Sequence, residues 1–464
     1  MGFGMSARVP AVVVVNGMIL PMDPSMPEVV NGWLSAGSDG VIIALGTGDA
    51  PAGGEVVDAH GAFVAPGFVS SHSHLFTSGS RGLGIECSLY GWIEAMTRYT
   101  QYASSDDIYW CTLHGALDFI NNGITTAYDF TSSRLPFHAL SGGDGTYGGL
   151  LRPAGFAEAQ IRAKVDAGIR FVNSIMLDDS TGTIEEIVDR FTETVTFAER
   201  YEKLDTFLGM AISGGIQWAA SRASAELETL LMERYQIINQ PHLLETPYSI
   251  DQQQERFWWY RDAGTLGRGL IFGHFIHTTP EIVEVAAEAG CAMSWQPTSN
   301  GRLGSGVADI PGYRRAGLRV GIGLDDQSCT DISDPWQNMR IGLYTQRAWY
   351  RDPEVLSVKE ILRLHTLGSA EVLGLDDRVG SLAPGKFADF VIVDPSTPDT
   401  GPVWNPIATY VLACGLRNLK QVWIGGRCVS KEGVSVRLSD AEVATEMHGR
   451  LRAIHDWAAD GCSA

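Results

Sequence analysis

Two histidines with one residue between them close an apolar run early in the chain. The run FVAPGFVSS begins at Phe63 and ends directly before His72, Ser73 and His74. Because side chains alternate across a β-strand, both imidazoles face the same side. Two neutral imidazoles in this arrangement are common metal ligands, although packed structural histidines produce the same spacing. The pair alone leaves both interpretations open.

Three later strand-like runs also end in residues that bind metals or carry protons. YQIINQP is followed by His242, with Glu245 three residues later, and GLIFG is followed by His274. GLRVGIGL is followed by Asp325 and Asp326. Four such endings in one chain favour a metal site over structural histidines.

These residue types are suited to hydrolysis. Imidazoles and one carboxylate hold a divalent transition ion and leave a position open for water. The ion lowers the pKa of that water to about 7. A carboxylate beside the water accepts its proton, and a further His or Glu serves the electrophile or the leaving group.

The elements that must position these residues alternate between strands and helices. From about Gly67 to Leu373, apolar runs such as ITTAYDF and IRFVNSIML alternate with amphipathic stretches such as IEEIVDRFTETVTFAERYE. This alternation predicts parallel βα units in an α/β fold. Its length suits a (β/α)8 TIM barrel over residues 66–375, with the active site at the carboxyl ends of the strands.

Both chain ends differ from this middle part. Residues 1–65 and 376–434 are rich in valine, short strands and glycine turns, which predicts one small β-sandwich built from both ends. The last segment, 435–464, has the pattern of an amphipathic helix.

The composition narrows the class of protein. The chain has 464 residues, 45% of them hydrophobic, and a formal net charge of −20 with scattered acidic residues. This suits a large buried core and argues against a nucleic-acid partner. Because no apolar run reaches the length of a membrane span and the cysteines are dispersed, we expect a cytoplasmic protein with no membrane partner.

Together these segments resemble the amidohydrolase superfamily over nearly the whole chain. FVAPGFVSSHSH is similar to its opening strand, HLLE to its His-x-x-Glu motif and VGIGLDD to its Asp strand. FGHFIHTTPEIVEV with the later QPTSN is similar to its later His segment, and VGSLAPGKFADFVIVD to its return into the sandwich. The chain resembles the branch of atrazine chlorohydrolase and the guanine and adenosylhomocysteine deaminases.

The resemblance implies a role for each of these residues. The implied ligands of one divalent ion, zinc or else cobalt, iron or manganese, are His72, His74, His242 and Asp325. Asp325 would also receive the proton of the attacking water, His274 would polarise the carbonyl or oxyanion, and Glu245 would carry a proton to the ring nitrogen or the leaving nitrogen. Family habit suggests a homo-oligomer that acts on a small molecule.

Two departures narrow the resemblance. Binuclear members hold a second metal through a carboxylated lysine, and the candidate strands TFLGMAISGGIQWAAS and IRFVNSIMLDDS contain no lysine, so we expect one metal ion. Deaminases of the branch carry a Gly-Pro-His turn where this chain has Gln217. The narrower resemblance is to molinate and phenylurea hydrolases, although some phenylurea enzymes have Asn-x-His where this chain keeps His-Ser-His.

Aromatic and polar residues near the expected mouth are candidate substrate contacts. The predicted substrate-binding residues are Tyr90, Trp92, His138, Gln217, Trp218 and Asn300. Aromatic walls suit a small apolar ligand, although ordinary packing of a helix over the mouth produces the same pattern. For Asp326 and His277, a direct and a supporting role are equally open.

The sequence therefore predicts a metal-dependent amidohydrolase. Its expected substrate is a small apolar amide, urea or carbamate-like molecule, cleaved at a carbon–nitrogen bond or at the carbon–sulfur bond of a thiocarbamate. The alternative is an aminohydrolase (deaminase) of a heteroaromatic ring such as a pyrimidine, purine or triazine. A non-catalytic scaffold of the same fold is a third hypothesis, against which the intact ligand set argues.

Overall fold

Strands and helices alternate through the middle of the chain, and strands predominate at both ends. The computed structural model describes residues 9–133, 152–177 and 182–461. His138, a predicted substrate contact, lies outside the described residues. Within these ranges, no helix has both the length and the apolar character needed to cross a membrane.

The first part of the chain consists of short strands. They are β1 (Val12–Ile19), β2 (Val30–Ala36), β3 (Ile42–Gly46), β4 (Glu55–Asp58) and β5 (Phe63–Pro66).

The middle of the chain alternates between strands and helices. Its strands are β6 (Phe68–His74), β7 (Ile124–Phe130), β8 (Arg170–Leu177), β9 (Phe207–Gly214), β10 (Ile238–Asn239), β11 (His242–Leu243), β12 (Ile271–His274), β13 (Ala292–Trp295), β14 (Arg319–Ile322) and β15 (Asp325–Asp326). Its helices are α1 (Leu89–Thr100), α2 (Ser105–Asn121), α3 (Gly155–Ala167), α4 (Ile184–Ala198), α5 (Ala223–Tyr235), α6 (Ile250–Ala263), α7 (Pro280–Glu288), α8 (Pro297–Arg302), α9 (Ile310–Arg315), α10 (Pro335–Tyr350), α11 (Val358–Leu364) and α12 (Leu367–Leu373).

The last part returns to strands and ends in a long helix. Its elements are β16 (Phe390–Val393), α13 (Pro406–Ala408), β17 (Leu419–Ile424), β18 (Arg427–Lys431), β19 (Val434–Ser435) and α14 (Asp440–Gly461). The predicted terminal helix is thus present as α14.

Local sequence explains where several helices begin. Ser104 accepts from the amide of Asp107, whose carboxylate accepts from the Ser104 amide in return, and this capping box starts α2. Thr183 starts α4 in the same way. Pro280 at the first turn of α7 lacks the amide hydrogen that would have no partner there.

The middle strands pair in parallel. One sheet has the order β10-β9-β8-β7-β6-β15, and the other has the order β11-β12-β13-β14. Two residues separate β10 from β11, and two separate β14 from β15, so the two sheets are connected at both edges. This arrangement is compatible with the predicted (β/α)8 barrel.

Strands from both chain ends form a third sheet. Its order is β19-β18-β17-β16-β5-β1-β2-β3, with β4 paired to β1. The two chain ends therefore come together through the antiparallel pair of β5 and β16. The pairing gives one nine-stranded sheet among the described residues and does not show the two layers of the predicted sandwich.

Candidate metal centre and cavity

Parallel register brings the predicted ligands to neighbouring strand ends. Asp325 on β15 lies opposite Ser73 on β6, between the two histidines of the opening motif. His242 on β11 lies opposite Gly273 on β12, one residue before His274. The side chains of four strands therefore meet near the carboxyl ends of those strands.

Three predicted ligand atoms have the spacing that one metal ion requires. His72 Nε2 lies 3.3 Å from His74 Nε2 and 3.2 Å from Asp325 Oδ1, and His74 Nε2 lies 3.6 Å from the same oxygen. Ligands bound at about 2.0–2.2 Å around a tetrahedral ion are about 3.3–3.6 Å apart. These three atoms fit around one ion.

The remaining imidazoles complete the cluster. Ring nitrogens of His72, His242 and His274 lie within 4.8 Å of one another. His72 is therefore shared between this group of imidazoles and the group that it forms with His74 and Asp325. His242 Nδ1, His274 Nε2 and Asp325 Oδ1 are buried without a hydrogen-bond partner. Because buried polar atoms are normally paired, these atoms fit a site that holds one divalent cation.

Gln240 fixes the orientation of His72. Its Nε2 donates to the carbonyl of Ser71 at 2.9 Å, which leaves Oε1 2.5 Å from His72 Nδ1. Nδ1 must therefore carry the proton, and Nε2 keeps its lone pair toward the cluster. The sequence analysis missed Gln240, although it precedes His242 by two residues and two-residue alternation places it on the same side.

Two glycines make room for the His72 ring and backbone. A Cβ atom at Gly323, between β14 and β15, would lie 2.5 Å from His72 Cβ and 2.9 Å from His72 N. A Cβ atom at Gly273 would lie 3.0 Å from His72 Cε1. A larger residue at Gly323 would therefore displace the strand that carries His72.

The backbone at two site residues is strained. His274 has a φ of 67° and Asp325 a φ of 64°, in the left-handed region that side chains with a Cβ disfavour. Such residues cost about 1–3 kcal/mol each and cluster at functional sites. The strain turns both side chains at the ends of their strands.

Burial and close packing keep the ligands in the protonation states that bind a metal. Burial, with the charge of His72, lowers the pKa of His74 to about 3. Burial also lowers the pKa of His242 well below its usual value. Burial acts to raise the pKa of Asp325, but the charges of His72 and His274 hold that pKa well below its usual value. At neutral pH, His74 and His242 are therefore neutral and Asp325 is ionised.

The sequence places this site in a known family. A model of the Amidohydrolase family matches residues 63–429. The chain belongs to the amidohydrolase family. This confirms the predicted superfamily and the prediction of a metal-dependent hydrolase acting on carbon–nitrogen bonds.

The chain is similar over nearly its whole length to curated amidohydrolase relatives. It is 25% identical over 442 residues to 5-methylthioadenosine/S-adenosylhomocysteine deaminase 1 of Syntrophus aciditrophicus (strain SB), covering 93% of this chain and 94% of the relative. It is 26% identical over 456 residues to the corresponding deaminase of Syntrophobacter fumaroxidans, covering 95% and 98%.

Solved structures show the same fold. An adenosine deaminase from Xanthomonas campestris superposes with a TM-score of 0.84 at 20% identity, covering 97% of this chain and 100% of that one. Atrazine chlorohydrolase from Arthrobacter aurescens TC1 superposes with a TM-score of 0.82 at 20% identity, covering 95% and 100%. None of the four proteins named here supports the narrower resemblance to molinate and phenylurea hydrolases.

A cavity opens beside the ligand cluster of this amidohydrolase. Its volume is about 890 Å³ including the open mouth, and His74, His242, Glu245 and Asp325 line one end. Of the predicted substrate contacts, Trp92 and Trp218 line the cavity. Tyr90 packs against the hydrophobic cluster that contains Trp92 and Trp218. Its ring centroid lies 6.2 Å from that of Tyr248. The structure thus places two of the predicted aromatic residues in the cavity wall itself.

Glu245 is held at the edge of the metal cluster. Its Oε1 lies 3.6 Å from His274 Nε2. Gln217 Nε2 donates to Glu245 Oε2 at 3.4 Å, and Gln217 Oε1 accepts from the Glu245 amide at 3.3 Å. Burial raises the pKa of Glu245 to about 7, against the lowering effect of His274. Gln217 therefore orients this carboxyl group, and its predicted contact with substrate stays a prediction.

Asn300, also predicted to contact substrate, lies within hydrogen-bonding distance of the His274 ring. Its Oδ1 lies 2.8 Å from His274 Nδ1, and it is absent from the described cavity wall. His277 lies apart from the cluster, with Nε2 2.8 Å from the carbonyl of Ser305. Asp326 lines the cavity, with Oδ2 3.8 Å from His74 Nε2. Of these residues, Asp326 lines the cavity, and the predicted substrate contact of Asn300 stays a prediction.

Several cavity residues were not predicted. Ser132, Ser133 and Ser213 line the cavity from the ends of β7 and β9, and Met96 lines it from α1. Serines that follow a buried strand could have been recognised as strand-end residues. Met96 has no comparable signal, because a methionine at helical spacing is typical of ordinary core packing.

A buried lysine on α3 lies outside the cavity. Lys164 on α3 forms an ion pair with Asp129 and donates to Asn173 Oδ1 at 2.7 Å. These contacts hold it between the helix and strands β7 and β8. Its placement agrees with a site for one metal ion.

Proposed function

We propose that this amidohydrolase is an aminohydrolase that replaces an exocyclic amino group of a heteroaromatic ring with oxygen from water. The observation that carries the proposal is the position of Glu245, a second buried carboxyl group beside Asp325 at the metal end of the cavity. A ring nitrogen that takes up a proton as water attacks the adjacent carbon needs a donor in this position. The relatives named as methylthioadenosine/S-adenosylhomocysteine deaminases support this reaction class.

The proposed metal is one zinc ion. Its ligands would be His72, His74, His242 and Asp325, and when bound it supplies a polarised, acidic water. Structures of the same fold whose names mention zinc support this choice.

Residues of this chain accept and donate the protons of the reaction. Asp325 accepts a proton from the attacking water as its oxygen bonds to the ring carbon, and Glu245 donates a proton to the adjacent ring nitrogen. The exocyclic nitrogen takes up the proton that Asp325 received and leaves as ammonia, while the added hydroxyl returns its proton to Glu245 and the ring keeps the oxygen. His274, held by Asn300, faces Glu245 and Asp325 and stabilises the charge that develops on the oxygen.

This reaction replaces the first predicted one. Glu245 could also protonate the leaving nitrogen of an amide or urea, so it is the deaminase relatives that favour the heteroaromatic alternative. The predicted cytoplasmic location and homo-oligomer stay part of the proposal.

Ammonia release from a panel of aminopurines, aminopyrimidines and aminotriazines, with mass detection of the products, tests the proposal. We expect ammonia and the oxo product in equal amounts from at least one ring. Glu245→Gln should lower kcat by about 100-fold or more, because the general acid is lost. Cleavage of aryl amides, ureas or thiocarbamates without ammonia release from any ring would overturn the proposal.

A further inference from the structure

The charged groups of the cavity are all gathered at its metal end. Glu245, Asp325 and Asp326 lie there with His74 and His242. In the part of the chain that the structure describes, neither a lysine nor an arginine lines the cavity. A ligand that carries a negative group would therefore meet carboxyl groups and, among the described lining residues, no cation.

Four arginines in segments that adjoin the cavity residues form hydrogen bonds with other parts of the chain, although Nη2 of Arg302 is buried without a hydrogen-bond partner. They are Arg81, Arg152, Arg256 and Arg302, none of which lines the cavity. Arg302, for example, donates to the carbonyl of Gly84 at 3.1 Å and to Asp331 at 3.3 Å. Arg256 donates to the carbonyl of Gln217 at 2.6 Å. These contacts hold loops and helices in place.

Part of the cavity wall is apolar. We call this the lid wall: Leu89, Trp92, Ile93 and Met96 on or next to α1, with Leu303 after α8. Each of these side chains is less than a tenth exposed, and all belong to one hydrophobic cluster. Ser132, Ser133 and Ser213 supply hydroxyl groups elsewhere on the surface of the cavity.

We propose that the substrate is an uncharged heteroaromatic amine whose apolar substituent packs against the lid wall, and that substituents bearing a carboxylate or phosphate are rejected. This inference rests on the deaminase function proposed above. The hydroxyl groups pair with ring or sugar heteroatoms, and the lid wall gains from burial of an alkyl or thioether group. A carboxylate there would be buried without a partner, which costs far more than an apolar group gains.

A matched pair of nucleosides tests the inference on one ring. Methylthioadenosine and S-adenosylhomocysteine share the adenine, the ribose and the thioether sulfur, and the second adds a zwitterionic end. We expect kcat/KM for methylthioadenosine to be at least about 100-fold higher, since an unpaired buried charge is costly. A second comparison uses an aminopyrimidine and an aminotriazine, each carrying either an alkyl or a carboxyalkyl substituent.

A charge placed in the lid wall should shift this preference. Met96→Arg should reduce the ratio of the two kcat/KM values at least tenfold by giving the carboxylate a partner. Leu230→Arg, on the exposed face of α5, adds the same charge elsewhere and should leave the ratio unchanged. Equal kcat/KM values for the two members of a pair in the unaltered enzyme would overturn the inference, whether or not Met96→Arg folds.

Binding separates this inference from the proposed reaction. Calorimetric titration of the zinc-loaded Glu245→Gln variant measures the Kd of each compound without turnover. Preferential binding of the uncharged members supports the inference even if the unaltered enzyme releases no ammonia, a result that would sink the proposed reaction alone. Ammonia release together with equal Kd values within a pair would overturn the inference alone. Failure of every uncharged member to bind would also overturn it.

Discussion

At the scale of single residues, the site depends on which ring nitrogen of each histidine carries a proton. Ser71 holds Gln240, and Gln240 in turn leaves His72 Nε2 unprotonated toward the cluster. Sequence spacing identified the histidines, because two-residue alternation along one strand is visible in the sequence. It did not identify Gln240 as the partner of His72, because that contact joins residues 168 positions apart.

Replacement of Gln240 by leucine should weaken metal binding. Leu keeps a similar volume but leaves His72 Nδ1 without an acceptor, so the ring loses its fixed tautomer and orientation. We expect metal affinity to fall about 10–100-fold, as for other partners of metal-binding histidines. Competition with a chelating dye measures this affinity. The control, Gln252→Leu on the exposed face of α6, should match the unaltered protein, and equal affinity of Gln240→Leu would contradict the role given to Gln240.

At the scale of elements, strand ends position the site, and close approach between neighbouring segments limits which residues they accept. The sequence predicted β6 and β12 well, since their apolar runs end in His74 and His274. The sequence did not predict that two of the other strands are interrupted, as β10–β11 and β14–β15. Interruption follows from pairing with different neighbours on each side, which one strand's sequence does not encode.

Replacement of Gly323 by alanine should destabilise the protein through such a close approach. The added methyl group would overlap the His72 backbone, and overpacking of this kind costs about 1–3 kcal/mol. Thermal unfolding of the metal-free protein should show a lower midpoint. Gly449→Ala, on α14 with no atom within 4 Å of the new Cβ, should raise the midpoint or leave it unchanged. Equal midpoints for Gly323→Ala and the unaltered protein would show that His72 tolerates the contact.

At the scale of the whole molecule, a buried ion pair connects the parallel strands to the sheet built from both chain ends. Arg170 at the start of β8 donates to Asp389 Oδ2 at 2.6 Å and to Oδ1 at 3.0 Å. Asp389 also accepts from the amide of Gly425 at 2.7 Å. The short valine-rich strands and glycine turns at both chain ends predicted that the two ends come together. It did not reveal this pair, whose members are 219 residues apart.

Removal of Asp389 should destabilise the molecule strongly. Asp389→Ala leaves the fully buried Arg170 guanidinium without its main partner, and breaking a buried pair costs about 3–5 kcal/mol. Thermal or urea unfolding measures the loss. Asp399→Ala removes the partner of Arg417 in an exposed pair, where solvent screens the charges, and should change stability little. Similar losses of unfolding free energy in the two variants would contradict the stabilising role given to the buried pair of Arg170 and Asp389.

Titration of the metal-free protein with zinc, with ammonia release as the readout, tests the central claim most directly. The cluster of His72, His74, His242 and Asp325 predicts that activity rises in proportion to added zinc and saturates at one ion per chain. Saturation only at two ions per chain, or ammonia release that is the same without metal, would contradict the account.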